Sequence, residues 1–342
     1  MKTKVFSGFG TTITMMAVTA LLVFLSAFAA EAKPVTLKFA GIDAVELTST
    51  KEMVKLAESV EQKTGGEVKV RVFPANQLGD YTLIYEEITK GTIDMALIPI
   101  PTEYDQRHQL TLVPGLAKDY QEIATVFAKD SWMYRTCDEL HKALDVVFLG
   151  FQIEGFGGIG SVKPVNEPLN PDSKKEMLCR ISTMELDKFI IDAMNYSSVT
   201  IPYADLYTSL QTGVVEGWYG GAAMHSYESF RDILKYYYNL NLFVESYQFV
   251  VSKKSWDKLS PEQQAVLKQE AEDLCARSVQ ISAEMEQHYL DSMKEAGMNV
   301  FTYTAEELAP LHERIQTVVW PKLDKLLGKE LADDLQKNVG NK

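Results

Sequence analysis

The chain is poor in the residues that most often carry covalent chemistry. Its 342 residues hold three cysteines and five histidines, and no C-x-x-C, H-E-x-x-H, G-x-S-x-G or Walker A sequence occurs. These absences exclude a thiol redox motif, a zincin-type centre, a nucleophile-elbow hydrolase and a P-loop nucleotide site. There is also no Lys/Arg run, and 34 Lys+Arg stand against 47 Asp+Glu for a net charge of −13. Nucleic acid and anionic membrane are therefore excluded as main partners. After residue 32 no stretch approaches the roughly 18–20 apolar residues that span a bilayer. What is abundant is core-forming mass: 46% of residues are hydrophobic and 24% charged, which is a globular composition. At roughly 100–200 residues per domain, the length favours two lobes.

The first 32 residues read as an export signal. Lys2 and Lys4 precede the uncharged stretch from Thr11 to Leu25, and the small-residue run Ser26-Ala27-Phe28-Ala29-Ala30-Glu31-Ala32 follows. A basic start, an apolar middle and an A-x-A end are the layout of a cleaved secretory signal, with cleavage expected after Ala32. Cleavage there removes two of the 34 basic and one of the 47 acidic residues, so the exported chain carries −14. Export permits one disulfide among Cys137, Cys179 and Cys275 without saying which pair. Three small buried apolar side chains fit the same positions.

Patterning then gives the element order. Val35 to Ala40 alternates as a strand, and Ser49 with Glu52 suggests a capping box ahead of Met53, Leu56, Ala57 and Val60 at helical spacing. Val68, Val70 and Val72 form a second strand, a helix ends at Lys90-Gly91, and Ile93 to Ile98 is a third strand. This βαβαβ order predicts an α/β lobe with a largely parallel sheet. A helix over Tyr120 to Leu144 and a buried strand over Val146 to Ile153 complete it. A second lobe repeats the alternation, with a strand at Met177 to Ile181, helices at Met184 to Met194 and Tyr203 to Gln211, and a short strand at Val214-Val215. Ser260, Pro261 and Gln263 open a run without Gly or Pro until Gly297. That run predicts a helix of about 54 Å, long enough to lie across both lobes. The boundaries expected are a signal over residues 1–32, lobe I from residues 33–153 plus 246–280, and lobe II from residues 154–245 plus 281–342.

Two apparent sites weaken on inspection. Gly155-Phe156-Gly157-Gly158-Ile159-Gly160 satisfies G-x-G-x-x-G, but Pro164 and Pro168 stop any helix from following, so no pyrophosphate site forms. The histidines lie far apart, and His141, His288 and His312 read as solvated helix residues. No metal or cofactor is expected.

Several segments together resemble the solute-binding proteins of TRAP transporters, the DctP family. In the first lobe these are Thr64-Gly65-Gly66, Phe73-Pro74-Ala75-Asn76-Gln77-Leu78-Gly79-Asp80 and Lys90-Gly91-Thr92-Ile93-Asp94-Met95-Ala96. In the second they are Leu178-Cys179-Arg180-Ile181, Ile201-Pro202-Tyr203-Ala204-Asp205-Leu206-Tyr207 and Ser209-Leu210-Gln211-Thr212-Gly213-Val214-Val215-Glu216-Gly217. Val251 to Pro261 resembles the entry to the family's long helix. The resemblance implies a two-lobe α/β periplasmic binding-protein architecture with mixed, mostly parallel sheets and a long C-terminal helix spanning both lobes. It also implies a periplasmic, non-enzymatic receptor that closes on a small-molecule carboxylate and delivers it to TRAP permease membrane subunits. A sensing subunit would share the fold. An exported hydrolase or isomerase using Glu216 or Asp205 as base lacks a recognisable partner set.

The resemblance assigns the carboxylate to Arg180, whose planar, always-charged guanidinium fits such a group bidentately. Two departures bear on the ligand. A second arginine found in many relatives is replaced at Gly157, and an asparagine at Gly220. The pocket expected from this loses a charge and an amide and gains space beside Trp218 and Tyr219. With Phe156 and Tyr203 as further flat walls, the expected ligand is a monocarboxylate with a bulky or aromatic body.

Overall fold

In the computed structural model, which describes residue 1 and residues 33–339, the chain builds two sheets. The export-signal reading falls on residues outside the described ones. Strand β1 (Val35–Gly41) leads through helix α1 (Thr48–Lys63) to β2 (Val68–Phe73), then through α2 (Tyr81–Lys90) to β3 (Met95–Ile98). Both β2 and β3 pair with β1 in parallel, as the alternation predicted. α1 buries Met53, Leu56, Ala57 and Val60. α2 is held by the Asp80 side chain, which accepts from Thr82 N–H, and ends at Gly91 in the left-handed region at φ 80°.

The capping box expected at Ser49 does not form. α1 starts two residues earlier, with Leu47 as its cap, and Ser49 Oγ instead donates to the Asp43 carboxylate. The helix expected over Tyr120 to Leu144 is two, α3 (Tyr120–Val126) and α4 (Trp132–Lys142). Asp130 at φ 62° breaks the run, and Ser131 caps the second helix by accepting from Tyr134 N–H. His141, expected in solvent, is fully buried between Tyr85 Oη (2.9 Å) and Gln248 Oε1 (2.8 Å). Burial lowers its pKa to about 4, so the imidazole is neutral.

Strand β4 (Val146–Phe156) runs on from the first sheet, and after Gly157 the chain enters the second sheet as β5 (Gly158–Ser161). The G-x-G-x-x-G segment is thus extended backbone with no helix after it. β6 (Leu178–Ile181), α5 (Glu185–Ala193), β7 (Ser197–Thr200), α6 (Leu206–Gln211), β8 (Gly217–Gly220), α7 (Ala223–Phe230) and β9 (Tyr236–Asn239) follow. The strand expected at Val214-Val215 lies three residues later, because Val214 is exposed in the turn. β10 (Val244–Ser252) then returns to the first sheet.

The sheet orders are β2-β1-β3-β10-β4 and, with β11 (Asn299–Thr302), β11-β9-β5-β8-β6-β7. Both are mixed: β10 is antiparallel to β3 and β4, and β5 is antiparallel to β8 and β9. The remaining pairs are parallel. At the crossing, Gly157 N–H donates to Phe243 O and Leu242 N–H to Gly157 O, both at 2.9 Å.

After the short helix α8 (Lys253–Trp256), helix α9 (Pro261–Glu295) is continuous over 35 residues, about 52 Å. Its capping box is complete, with Ser260 accepting from Gln263 N–H and Gln263 reaching back to Ser260 N–H. It packs on β4, α1 and α3 beside the first sheet and on α7 and β11 beside the second. It therefore spans both lobes. Helix α10 (Ala305–Val319) packs on α5, while α11 (Leu323–Leu327) packs on α12 (Lys329–Asn338) and on the 3-10 segment Gln106–Leu112. Trp320 Nε1 donates to Pro114 O at 2.9 Å. These contacts join the end of the chain, which the sequence placed with lobe II, to elements of lobe I.

All three cysteines are free thiols, with Cys137 and Cys179 buried and Cys275 half-buried. No helix among the described residues is long and apolar enough to cross a membrane.

The complete capping box gives a first expectation. Ser260→Ala should lower the unfolding free energy by about 1 kcal/mol while Ser260→Asp should retain it, as read by urea denaturation followed by circular dichroism.

Candidate functional site

Arg180 lies on β6, the strand next to the edge strand β7 of its sheet. It pairs in parallel with Val199 on β7 and with Trp218 on β8, a register that turns the side chain into a cavity of about 580 Å³, partly open to solvent. The residue is 3% exposed. Its Nε donates to Ile201 O at 2.8 Å, and the guanidinium lies 6.0 Å from the Tyr203 ring centre. Among the described residues no carboxylate lies within 4.0 Å of it, and Nε makes its single hydrogen bond. The two terminal nitrogens thus face the cavity without a protein acceptor. Burial lowers the Arg180 pKa, but a guanidinium stays charged at any physiological pH.

Both sides of the molecule contribute to the walls. Ile42, Tyr81, Pro99 and Leu112 come from loops and a helix start beside the first sheet. Tyr203, Trp218, Tyr219 and Gly220 come from the second, and Phe243, Glu245 and Tyr247 from the returning segment. The surface is mainly aromatic and apolar, with few polar groups, as in ligand cavities generally. Two of those groups are acids. Asp187 accepts from Ser182 Oγ (2.6 Å) and Ser182 N–H (3.2 Å), yet burial raises its pKa. Glu245 accepts from Gly221 N–H at 3.2 Å, and burial pushes its pKa up to about 7.

Five of the seven residues singled out in the sequence, Arg180, Tyr203, Trp218, Tyr219 and Gly220, line this one cavity. The other two do not. Phe156, the last residue of β4 before the crossing, lies on a second cavity of about 490 Å³ under α9, edge-on to Tyr120 at 5.4 Å. Gly157 lines neither cavity, and a Cβ there would stand 2.3 Å from the Phe243 ring. The space that glycine was expected to open is therefore filled by protein. Gly220 does line the cavity, where a Cβ would come within 3.4 Å of the Trp218 indole, whereas at the next residue, Gly221 with φ 62°, a Cβ would lie 2.2 Å from it. The glycines admit aromatic rings, and those rings form the wall. Trp218 packs on Phe230 (5.1 Å) and Tyr219 on Phe243 (5.1 Å).

Neither acid named for a hydrolytic reading reaches the cavity. Glu216 bonds Lys163 Nζ (2.7 Å) and Leu178 N–H (3.2 Å), and Asp205 is exposed. Sequence reasoning passed over Glu245, Asp187 and Tyr81. Glu245 had a legible signal, an acid inside the apolar run Val244 to Val251. Asp187 and Tyr81 had none, since each occupies an ordinary helical position.

The family described as bacterial extracellular solute-binding protein, family 7 (DctP), matches residues 39–324. The chain is similar to the sialic acid-binding periplasmic protein SiaP of Vibrio cholerae, 23% identical over 332 residues that cover 94% of this chain and 98% of that one. It is also similar to the C4-dicarboxylate-binding periplasmic protein DctP of Rhodobacter capsulatus, 26% identical over 305 residues, 87% and 89% of the two chains. In fold it resembles a TRAP periplasmic solute binding protein from Desulfovibrio salexigens crystallised with orotic acid. The TM-score is 0.80 at 18% identity, over 89% of this chain and 98% of that one.

The half-buried acid Glu245 at the cavity wall makes stability depend on pH. Glu245 keeps its proton to about pH 7 when folded but releases it near 4.5 when exposed. Between these values the folded chain binds more protons than the unfolded one. This contribution is fully present below pH 4.5 and is lost as pH rises through 7. Denaturant titration of ligand-free protein should show Glu245→Gln reducing the loss of stability between about pH 5 and 7.5 by roughly 2–3 kcal/mol. An unaltered pH slope would contradict the assignment.

Proposed function

Because the chain belongs to family 7 of the bacterial extracellular solute-binding proteins, the DctP family of TRAP-type receptors for organic acids, we propose that it binds a monocarboxylate with a bulky, flat body. One observation carries this reading. The cavity holds a single cation, Arg180, whose terminal nitrogens lack a protein acceptor, and its other titratable wall groups include the acids Asp187 and Glu245. One carboxylate satisfies the guanidinium fork. A second carboxylate on the same ligand would face Asp187 or Glu245 and meet repulsion in a desolvated site. Tyr203, Trp218 and Phe243 offer planar apolar surface to the rest of the ligand. The relative with bound orotic acid, a flat ring bearing one carboxylate, is consistent with this shape. The relatives named for sialic acid and C4-dicarboxylates show that the fold also serves other acids.

No covalent step is involved. The cavity is walled from both sides, so a ligand gains its full set of contacts only when the lobes are together, and binding favours the closed form. The crossing strands β4 and β10 and the long helix α9 are the elements that must absorb the motion. We assign the receptor to the periplasm, from the export signal and the periplasmic relatives, with a TRAP permease as acceptor of the ligand.

Arg180→Ala should weaken ligand binding by about 100-fold or more in calorimetry, as expected for truncating one partner of a buried charged pair. Circular dichroism should show the fold intact, and near-normal affinity would sink the assignment. In a thermal-shift screen, aromatic monocarboxylates should raise the melting temperature and succinate or malate should not. The opposite ranking would reject the ligand class. Small-angle scattering with saturating ligand should show a smaller radius than without it.

A further inference from the structure

Where the ligand cavity meets the second cavity under α9 lies a buried polar group, with His225 and Tyr247 on the wall of the first and Glu154 on the wall of the second. Asp43 follows β1, Glu154 stands near the end of β4, and His225 is in the first turn of α7; they are 4%, 4% and 2% exposed. His225 Nε2 is 3.7 Å from Asp43 Oδ1 and 4.0 Å from Glu154 Oε2. The Tyr247 hydroxyl lies 3.1 Å from both Asp43 Oδ1 and His225 Nε2. One ligand atom from each of Asp43, Glu154 and His225 falls within 4.8 Å of the other two.

Three features separate this group from an ordinary hydrogen-bonded core. The first is charge. Among the described residues neither carboxyl has a Lys or Arg within 4.0 Å. Two buried carboxyl groups share one place without a cation, which is costly. The second is orientation. Ser49 Oγ holds Asp43 Oδ2, and Gln152 Nε2 holds Glu154 Oε1 at 2.8 Å. Oδ1, which accepts from the Tyr247 hydroxyl, and Oε2 are left on the side of His225 Nε2, an arrangement of outer donors that orients metal ligands. The third is spacing. Separations of 3.7 and 4.0 Å are too long for hydrogen bonds, but cation bonds of about 2.0–2.4 Å put neighbouring ligand atoms roughly 3–4 Å apart.

We propose that Asp43, Glu154 and His225 bind a divalent transition-metal cation of the Mn²⁺ or Zn²⁺ type, with the Tyr247 hydroxyl beside it. One imidazole nitrogen with two carboxylate oxygens suits those ions better than Mg²⁺ or Ca²⁺, which take oxygen alone. The neutral imidazole supplies a lone pair at Nε2 without losing a proton. The ligands come from the ends of two first-sheet strands and from the helix after β8, so a bound cation ties the two sheets together beside the ligand cavity.

The test uses the purified chain without a histidine tag, stripped with a chelator and titrated with MnCl₂ or ZnCl₂ in a calorimeter. Atomic spectrometry after gel filtration counts the metal. Wild type should retain about one equivalent of one of the two ions, and bound Mn²⁺ should show nitrogen coupling from one imidazole in pulsed electron paramagnetic resonance. Glu154→Gln and His225→Gln should each lower the affinity at least 100-fold. No retained metal in wild type, or retention unchanged in both variants, would overturn the site. Should a variant fail to fold, bound Mn²⁺ in wild type without nitrogen coupling would overturn it equally.

Discussion

The pairing of β4 with β10 is the constraint on which the rest of the molecule depends. The two strands stay in antiparallel register from Val146 opposite Ser252 to Phe156 opposite Val244, across two irregularities. Each then continues directly into the second sheet's region. That register fixes which side chains face the cavity. Glu245 and Tyr247 point one way from β10 into the ligand cavity, and Phe156 at the end of β4 lines the other cavity. A slip of one residue would reverse every one of these placements, since side chains alternate along a strand. The long helix reinforces the register where Ser278 Oγ donates to Ile153 N–H and Ser282 Oγ to Ile153 O.

On that frame the site is a problem in burying charge. Arg180 is placed in an aromatic cavity with one backbone acceptor, and Asp187 is buried and Glu245 half-buried on the same wall. Burial acts on all three in the same sense, lowering the basicity of the cation and raising the pKa values of the acids. The acids can relieve this cost by holding a proton, but the guanidinium cannot. Arg180 therefore gains most from a ligand that brings a negative charge. The chain's net charge of −13 tends to repel such a ligand at distance, so selectivity resides in these few desolvated groups.

Much of the architecture was legible along the chain. The βαβαβ alternation from Val35 to Ile98, the stop at Gly91, the capping box at Ser260 and the uninterrupted helix after it are local signals, and each acted locally. Arg180, Tyr203, Trp218, Tyr219 and Gly220 were legible as cavity residues through family resemblance together with residue type. Where reading failed, a partner outside the element's own pattern had intervened. Ser49 left its capping role for Asp43, and His141 was withdrawn from solvent by Tyr85 and Gln248.

The glycines mark the boundary most clearly. Sequence showed small residues at Gly157 and Gly220 where relatives carry larger polar ones, and small residues suggest free volume. Tertiary packing gave the volume at Gly157 to Phe243, and gave the place beside Gly220, at Gly221, to Trp218. By itself the sequence determined the elements, their order and the residue types available, because these follow from periodicity and backbone preference within a few turns. Only the folded chain decided which rings fill which spaces and which acids stand near one another. Those outcomes depend on contacts such as Asp43 with Tyr247, 204 positions apart, and no local pattern encodes them.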